Sequence, residues 1–117
     1  MATLTCAELN MQHCKAAITH LALFTHENKI GILFIQEPYC LNGEPSLTSP
    51  PELQGILSFP HTHPRALLLI RTEIAQNFVL HTFSNSDNVI IATAINPPLY
   101  LTSSYLPPYN MLEKNFS

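Results

Sequence analysis

The sequence is poor in charged residues and in glycine. Charged residues make up 11% of its 117 positions, against about 25% in typical soluble domains, while 46% are hydrophobic. This balance excludes a disordered tail, which needs low hydrophobicity and high net charge. A net charge of −3 with five Lys and Arg excludes a basic stripe for nucleic acid. Ten prolines and three glycines are atypical of a coiled coil, and the length suits a single domain.

Cysteines are few, and long apolar runs are missing. Cys6, Cys14 and Cys40 form an odd set without CxxC spacing, so we expect reduced, buried or partly buried thiols rather than a disulfide framework. The longest apolar runs, residues 30–35 and 66–70, are far shorter than the roughly 20 residues of a membrane-spanning helix. The first residues do not have the pattern of a signal peptide. The sequence therefore predicts a soluble, intracellular chain without a membrane partner.

The first forty residues predict a βαβ unit. Residues 4–10 form a short, partly alternating segment, and a helical pattern starts near Gln12 and ends by Asn28 and Gly31. The apolar face of this helix is expected to comprise Cys14, Ala17, Ile18, Leu21 and Phe24. Residues 30–35 are apolar throughout, which is typical of a strand covered on both faces. The long connection between the two strands favours parallel pairing.

The remainder of the sequence predicts a Pro-rich loop followed by a β-meander. Five prolines within residues 40–64 exclude a regular helix or a central strand there. Leu53 begins a segment that could add a short strand over the core. Four strand candidates follow, at residues 65–71, 77–83, 88–95 and 100–105. The turn-forming segment 84–88 predicts a hairpin between the second and third of them.

Polar side chains follow both strands of the predicted βαβ unit. Asn10 ends the first strand, and Glu37 comes directly after the second. Carboxyl ends of parallel strands meet at one edge of a sheet, where open α/β sheets bind ligands, so these side chains should lie close together. A carboxylate beside an amide oxygen suits a hard cation such as Mg²⁺. Two simpler interpretations stay open: Asn10 as the N-cap of the helix, and Glu37 before Pro38 as the start of a solvated loop.

Tyr105 closes the last predicted strand. If that strand runs beside the first two, the Tyr105 phenol reaches the same edge and can donate to a phosphate oxygen. The simpler alternative is an aromatic ring that packs at a strand end. The six histidines and three cysteines lack the spacing of a structural zinc site. The sequence also has no Gly-rich phosphate loop and no nucleophile elbow.

Four short motifs carry a resemblance to a known family. They are NMQHCKAA at 10–17, IQEPY at 35–39, RAL at 65–67 and SYLPP at 104–108. In order and spacing they resemble the N-terminal half of the endonuclease domain of non-LTR retrotransposons of the LINE or jockey type. That domain belongs to the endonuclease/exonuclease/phosphatase superfamily. The resemblance extends over residues 4–110.

The resemblance implies an α/β fold, a four-layer sandwich of two sheets flanked by helices. It also implies an Mg²⁺-dependent hydrolase that nicks DNA so that reverse transcription can begin at the nick. By position, Glu37 would be the metal-ligand carboxylate, Asn10 the residue that helps arrange metal and phosphate, and Tyr105 the phenol at the phosphate. A reverse transcriptase would follow downstream in the parent element, which would act in the nucleus.

The sequence departs from this family in ways that bear on activity. The family mechanism needs an Asp that activates water and a late Ser-Asp-His segment, but the chain contains one Asp, Asp87, within a Ser- and Asn-rich turn. General-base catalysis typically contributes about 10²–10⁴-fold. The sequence therefore predicts a single partial domain over residues 1–117, an incomplete half of the sandwich truncated at the C-terminus and inactive alone.

A half sandwich would expose apolar faces. We therefore expect a poorly soluble or partly unfolded chain, with residues 88–95 as an edge prone to pairing with other chains. A different class of protein remains open, a small non-catalytic interaction module that binds a partner through the loop at 40–64. A complete enzyme of unfamiliar chemistry is the third alternative.

Overall fold

The βαβ unit predicted at the start of the sequence is present. The computed structural model describes residues 4–45, 52–57 and 63–106. Its first elements are β1 (Cys6–Asn10), α1 (Ala17–Asn28) and β2 (Ile32–Gln36). Strands β1 and β2 pair in parallel, as predicted from the length of the connection between them, and their register ends with Asn10 opposite Gln36.

The helix begins later than the sequence predicts. Helix α1 starts at Ala17 rather than near Gln12, because Gln12 and His13 both have left-handed backbone conformations (φ 51° and 57°) that a right-handed helix cannot include. Asn10 is therefore not the N-cap of this helix, and Ala16 at that position makes no side-chain cap. Lys29 ends the helix in a left-handed conformation, directly after Asn28 as predicted.

The remaining elements form a hairpin, one more helix and further strands. They are β3 (Cys40–Leu41), β4 (Glu44–Pro45), β5 (Leu53–Ile56), β6 (Ala66–Arg71), α2 (Thr72–Ala75), β7 (Phe78–Leu80), β8 (Asn88–Thr93) and β9 (Tyr100–Ser104). One sheet has the order β1-β2-β6-β5, in which β6 is antiparallel to β2. A second sheet is the antiparallel meander β7-β8-β9, and β3 pairs with β4 alone.

Strand β2 is covered on both faces, as its apolar composition predicted. Leu33 and Ile35 belong to the core that also contains Ile18 and Leu21 of α1. Ile32 belongs to a second core, shared with Leu68 and Ile70 of β6 and with Val89 and Ile91 of β8. The second core therefore lies between the two sheets. The fold is a partial α/β sandwich, with α1 on the outer face of the four-stranded sheet.

The last two strands of the meander lie elsewhere than the sequence analysis considered. Strand β9 does not run beside β1 and β2 but belongs to the second sheet. Strand β8 is not an exposed edge, because it pairs with β7 on one side and with β9 on the other. On the outer face of that sheet, Val79 and Tyr100 are 58% and 54% exposed. The expectation of poor solubility stays a prediction.

The described parts of the Pro-rich loop contain no regular helix or central strand, as predicted. They form the β3-β4 hairpin and the edge strand β5, which begins at Leu53 and pairs with β6. Residues 46–51 and 58–62 lie outside the described part of the chain. The interpretation of this loop as a partner-binding segment is therefore not tested.

Several side chains are more exposed than predicted. Cys6 and Cys14 are exposed, and only Cys40 is partly buried; none of the three is bonded to another. Desolvation raises the pKa of the Cys6 and Cys40 thiols, and the Glu44 charge raises that of Cys40 further. Cys14 precedes α1 rather than lining its apolar face, and Phe24 is 46% exposed.

No helix in the described part of the chain could span a membrane. Neither α1 nor α2 has the length and the apolar character needed to cross a bilayer.

Candidate functional site

A polar groove of about 580 Å³ lies at the edge where β1, β2 and β9 end. Its lining residues are Glu8, Asn10, Gln36, Glu37, Ser104, Tyr105 and Leu106. The structure thus brings together the three residues selected from the sequence, Asn10, Glu37 and Tyr105. They come from three distant stretches of the chain. The shared edge that was predicted for their side chains exists.

Alternation along β1 explains why it presents polar side chains to this groove. Ala7 and Leu9 pack against the core beneath α1. Since successive side chains of a strand point to opposite faces, Glu8 and Asn10 point to the other face. Sequence reasoning missed Glu8, although its position two residues before Asn10 is the signal that could have found it.

Two hydrogen bonds fasten the end of β9 to the end of β2. The buried Ser103 hydroxyl donates to the Ile35 carbonyl (3.1 Å), and the Gln36 amide donates to the same hydroxyl oxygen (3.4 Å). Ser104 and Tyr105, which follow Ser103, therefore enter the groove from the second sheet. Tyr105 reaches the predicted edge across the sandwich rather than along one sheet.

The backbone of Glu37 is held in an unusual conformation. Glu37 has a left-handed backbone (φ 49°), which non-glycine residues seldom adopt. Its N–H donates to the Arg65 carbonyl and its carbonyl accepts from the His13 N–H, each at 2.9 Å. Such conformations cost about 1–3 kcal/mol and are concentrated at functional sites, where the surrounding structure enforces them. Glu37 does open the connection from β2 to β3, as the simpler alternative had it, but its backbone is restrained on both sides and its side chain is only 24% exposed.

His13 is a neighbour of Glu37 that sequence reasoning did not select. Its Nε2 lies 3.7 Å from Glu37 Oε1, and its Nδ1 lies 3.3 Å from the Pro38 carbonyl oxygen. The Nδ1 contact favours the tautomer in which Nδ1 carries hydrogen and donates. The Glu37 side chain is only 24% exposed, so His13 covers one side of a partly buried carboxylate.

Asn10 makes a local hydrogen bond of a different kind from the helix cap considered above. Its Oδ1 accepts from the Gln12 N–H at 2.8 Å, which closes an Asx-type turn. This bond orients the carboxamide at the rim of the groove. One lone pair of Oδ1 remains for a ligand, because an amide oxygen accepts two hydrogen bonds.

The left-handed backbone conformation of Gln12 (φ 51°) allows a test of this turn. Gln12→Gly is expected to raise the free energy of unfolding by about 0.5–1 kcal/mol, because glycine adopts positive φ without the side-chain penalty. Gln12→Ala is the matched control and should leave stability nearly unchanged, since alanine has the same penalty as glutamine. Urea unfolding followed by circular dichroism measures both. Equal stability of the two variants would contradict a strained Gln12.

Arg65 contacts both Tyr105 and Asp87, the one aspartate in the sequence. Its guanidinium carbon lies 5.2 Å from the centre of the Tyr105 ring, and its Nη2 donates to Asp87 Oδ2 at 3.3 Å. The Arg65 Nε also lies 2.7 Å from Asp87 Oδ1. This contact is an ion pair without a hydrogen bond, because the buried Oδ1 has no hydrogen-bond partner among the described residues. The Tyr105 N–H also donates to the Asp87 carbonyl at 2.8 Å. Sequence reasoning quoted Arg65 within a motif but assigned it no role.

The oxygen atoms around the groove are the ligands that a hard cation prefers. Glu8 and Glu37 offer carboxylates, and Asn10, Gln36 and Tyr105 offer amide and phenol oxygens. Mg²⁺ prefers such oxygens, with one or two carboxylates plus water and substrate phosphate. No group of three or more His, Cys, Asp and Glu side chains arranged for a metal occurs within residues 4–45, 52–57 and 63–106. The site therefore offers few protein charges of its own to a cation.

The partial α/β sandwich is similar to an endonuclease domain of known structure. That structure is the endonuclease domain of TRAS1, a telomere-specific non-LTR retrotransposon, with a TM-score of 0.59 and 19% sequence identity. The similarity covers 92% of this chain and 47% of the TRAS1 chain, so this chain spans about half of that domain. No family model and no curated protein matches the sequence.

Proposed function

We propose that this chain is part of a metal-dependent DNA endonuclease domain of the non-LTR retrotransposon type. The observation that carries the proposal is the convergence of Asn10, Glu37 and Tyr105 on one groove at the shared edge of two sheets. The fold similarity to a retrotransposon endonuclease domain supports it. The LINE or jockey type, a downstream reverse transcriptase and action in the nucleus are parts of the same proposal.

Each groove residue has a role that its position supports. Glu37 holds a divalent cation, Mg²⁺ in the proposed reaction, with Asn10 beside it. The Tyr105 phenol donates to a non-bridging phosphate oxygen. When bound, a divalent cation neutralises phosphate charge and lowers the pKa of its water ligand. Two backbone hydrogen bonds hold Glu37 at the groove, and His13 covers one side of its carboxylate.

The chain alone is proposed to lack hydrolytic activity. Activation of the attacking water requires a free general base within hydrogen-bond reach of it. Asp87 is the one aspartate in the sequence, and both of its carboxylate oxygens face the Arg65 guanidinium. Because Arg65 occupies both oxygens, Asp87 is not free to accept a proton from the attacking water, and we expect the groove to bind a cation and phosphate without completing the reaction.

Paramagnetic Mn²⁺, added to the whole chain, tests the proposal. We expect amide NMR signals of Asn10, Glu37 and Tyr105 to broaden first, because all three line the groove. The Lys29 amide, before the opposite end of β2, is the internal control and should keep its intensity. Broadening centred elsewhere would contradict the proposed site.

The same samples test the absence of activity. Supercoiled plasmid with Mg²⁺ should remain intact in the presence of this chain. Metal-dependent nicking that disappears in Glu37→Ala would contradict the proposed inactivity while supporting the metal role of Glu37.

A further inference from the structure

We infer that Arg65 contacts a DNA phosphate at the groove, with its guanidinium oriented by Tyr105 and Asp87. This inference rests on the proposed function, because it presumes that DNA enters the groove. It assigns a binding role to a residue that neither the sequence motifs nor the fold similarity explains.

The position of Arg65 connects it to both sides of the groove. Its guanidinium lies against the ring of Tyr105, whose phenol is proposed to meet the phosphate. Its backbone carbonyl accepts from the Glu37 N–H, so the same residue supports the proposed metal ligand. Movement of Arg65 would therefore disturb Tyr105 and Glu37 together.

The guanidinium is oriented yet still accessible. Nε and Nη2 face Asp87, which leaves the N–H groups of Nη1 without a partner among the described residues. The Arg65 side chain is 51% exposed, so solvent or a ligand can reach those groups. Arginine offers N–H donors in a planar fork that matches the geometry of phosphate oxygens.

The negative charges that line the groove must be balanced by positive charge for the groove to bind DNA. Glu8 and Glu37 line it, so it repels a polyanion unless cations balance these two charges, whereas the Asp87 charge is already paired with Arg65. Arg71 cannot supply this positive charge, because its guanidinium donates two hydrogen bonds to the Ile30 carbonyl. Ile30 precedes the start of β2, at the end of the strand opposite to the groove. Arg65 is in contact with a groove residue and keeps free donors.

DNA binding by the whole chain tests the role of Arg65. Anisotropy of a labelled 20-base-pair duplex is measured over a range of NaCl concentrations with wild type and Arg65→Gln. Arg65→Gln should bind about tenfold more weakly, and its slope of log K against log salt should be shallower by about 0.9, the value for one lost phosphate contact. Lys29→Gln removes the same charge at the far end of β2 and should leave the slope unchanged.

Two further variants keep the inference testable if Arg65→Gln fails to fold. Arg65→Lys keeps the charge and should keep the wild-type slope, with an affinity between those of wild type and Arg65→Gln. Asp87→Asn keeps a side-chain oxygen that can accept from the Arg65 guanidinium and removes a negative charge, so it should bind DNA at least as tightly as wild type. Weaker binding by Asp87→Asn together with a shallower slope for Arg65→Lys would overturn the inference.

Other outcomes separate this inference from the proposed function. A wild-type slope in folded Arg65→Gln, equal losses in Arg65→Gln and Lys29→Gln, or no DNA binding by wild type would each overturn the role of Arg65. Mn²⁺ broadening at Glu37 is the independent measurement and is expected to persist in Arg65→Gln. If broadening at Glu37 is absent even in wild type, the metal role in the proposed function fails instead.

Discussion

Glu37→Gln is expected to weaken the binding of Mn²⁺ or Mg²⁺ at the groove by tenfold or more. The substitution keeps the shape of the side chain and removes its charge, so the fold is expected to remain intact. A tenfold loss corresponds to about 1.4 kcal/mol. The effect is large because hard cations depend on carboxylate charge, and among the described residues Glu8 is the one other carboxylate that lines the groove. Isothermal titration or Mn²⁺ relaxation of water protons measures the affinity.

Two acidic residues serve as controls for this substitution. Glu73→Gln removes an exposed carboxylate in α2, away from the groove, and should leave cation affinity unchanged. Glu8→Gln should weaken binding by a smaller factor, because the Glu8 carboxylate is exposed to solvent whereas the Glu37 side chain is only 24% exposed. If Glu8→Gln abolished binding and Glu37→Gln did not, the metal ligand would be Glu8.

Leu68→Ala is expected to lower the free energy of unfolding by about 2–5 kcal/mol, the range for truncating a buried leucine. Leu68 is fully buried between the two sheets, where it packs with Ile32 and with Val89 of β8. The loss is a large share of the roughly 5–15 kcal/mol that typical domains have. For a partial sandwich we expect a free energy of unfolding near the lower end of this range, so Leu68→Ala should be largely unfolded at 37 °C.

Urea unfolding with Leu41→Ala as the matched control measures this effect. Leu41 is the same residue type, 57% exposed in β3, and its truncation should change stability by less than about 0.5 kcal/mol. Circular dichroism gives the secondary structure of each variant before titration. Similar unfolding midpoints for Leu68→Ala and Leu41→Ala would show that the two sheets do not pack as described.

The two substitutions separate stability from binding. Leu68 lies within the core between the sheets, whereas Glu37 lines the groove at their common edge. Glu37→Gln should therefore unfold at nearly the wild-type urea concentration, while Leu68→Ala should lose cation binding only in proportion to its unfolded fraction. Loss of stability together with binding in Glu37→Gln, or a loss of cation binding in Leu68→Ala that exceeds its unfolded fraction, would link the groove to global folding.

Part of the candidate site could be predicted because it depends on local sequence and on a general rule of sheets. The all-apolar segment of β2 indicated a strand covered on both faces, and its distance from β1 indicated parallel pairing. Parallel strands present their carboxyl ends at one edge, which placed Asn10 near Glu37. The structure agrees, since both residues line the same groove.

Other parts depend on contacts between segments far apart in the sequence. The sequence placed Tyr105 at this edge on the condition that its strand runs beside β1 and β2, but that strand pairs in the second sheet and is joined to β2 through Ser103. The delayed start of α1 has a similar cause, because Gln12 and His13 are left-handed where the His13 N–H bonds to the Glu37 carbonyl. Neither contact leaves a periodic pattern in the sequence.

The sequence by itself determined the types of the main elements and the parallel pairing of β1 and β2, because side-chain periodicity and connection length follow directly from residue order. Tertiary structure alone decided the left-handed backbone of Glu37, the route of Tyr105 into the groove and the pairing of Arg65 with Asp87. Each of these depends on hydrogen bonds or ion pairs between segments that only the packing of two sheets brings into contact.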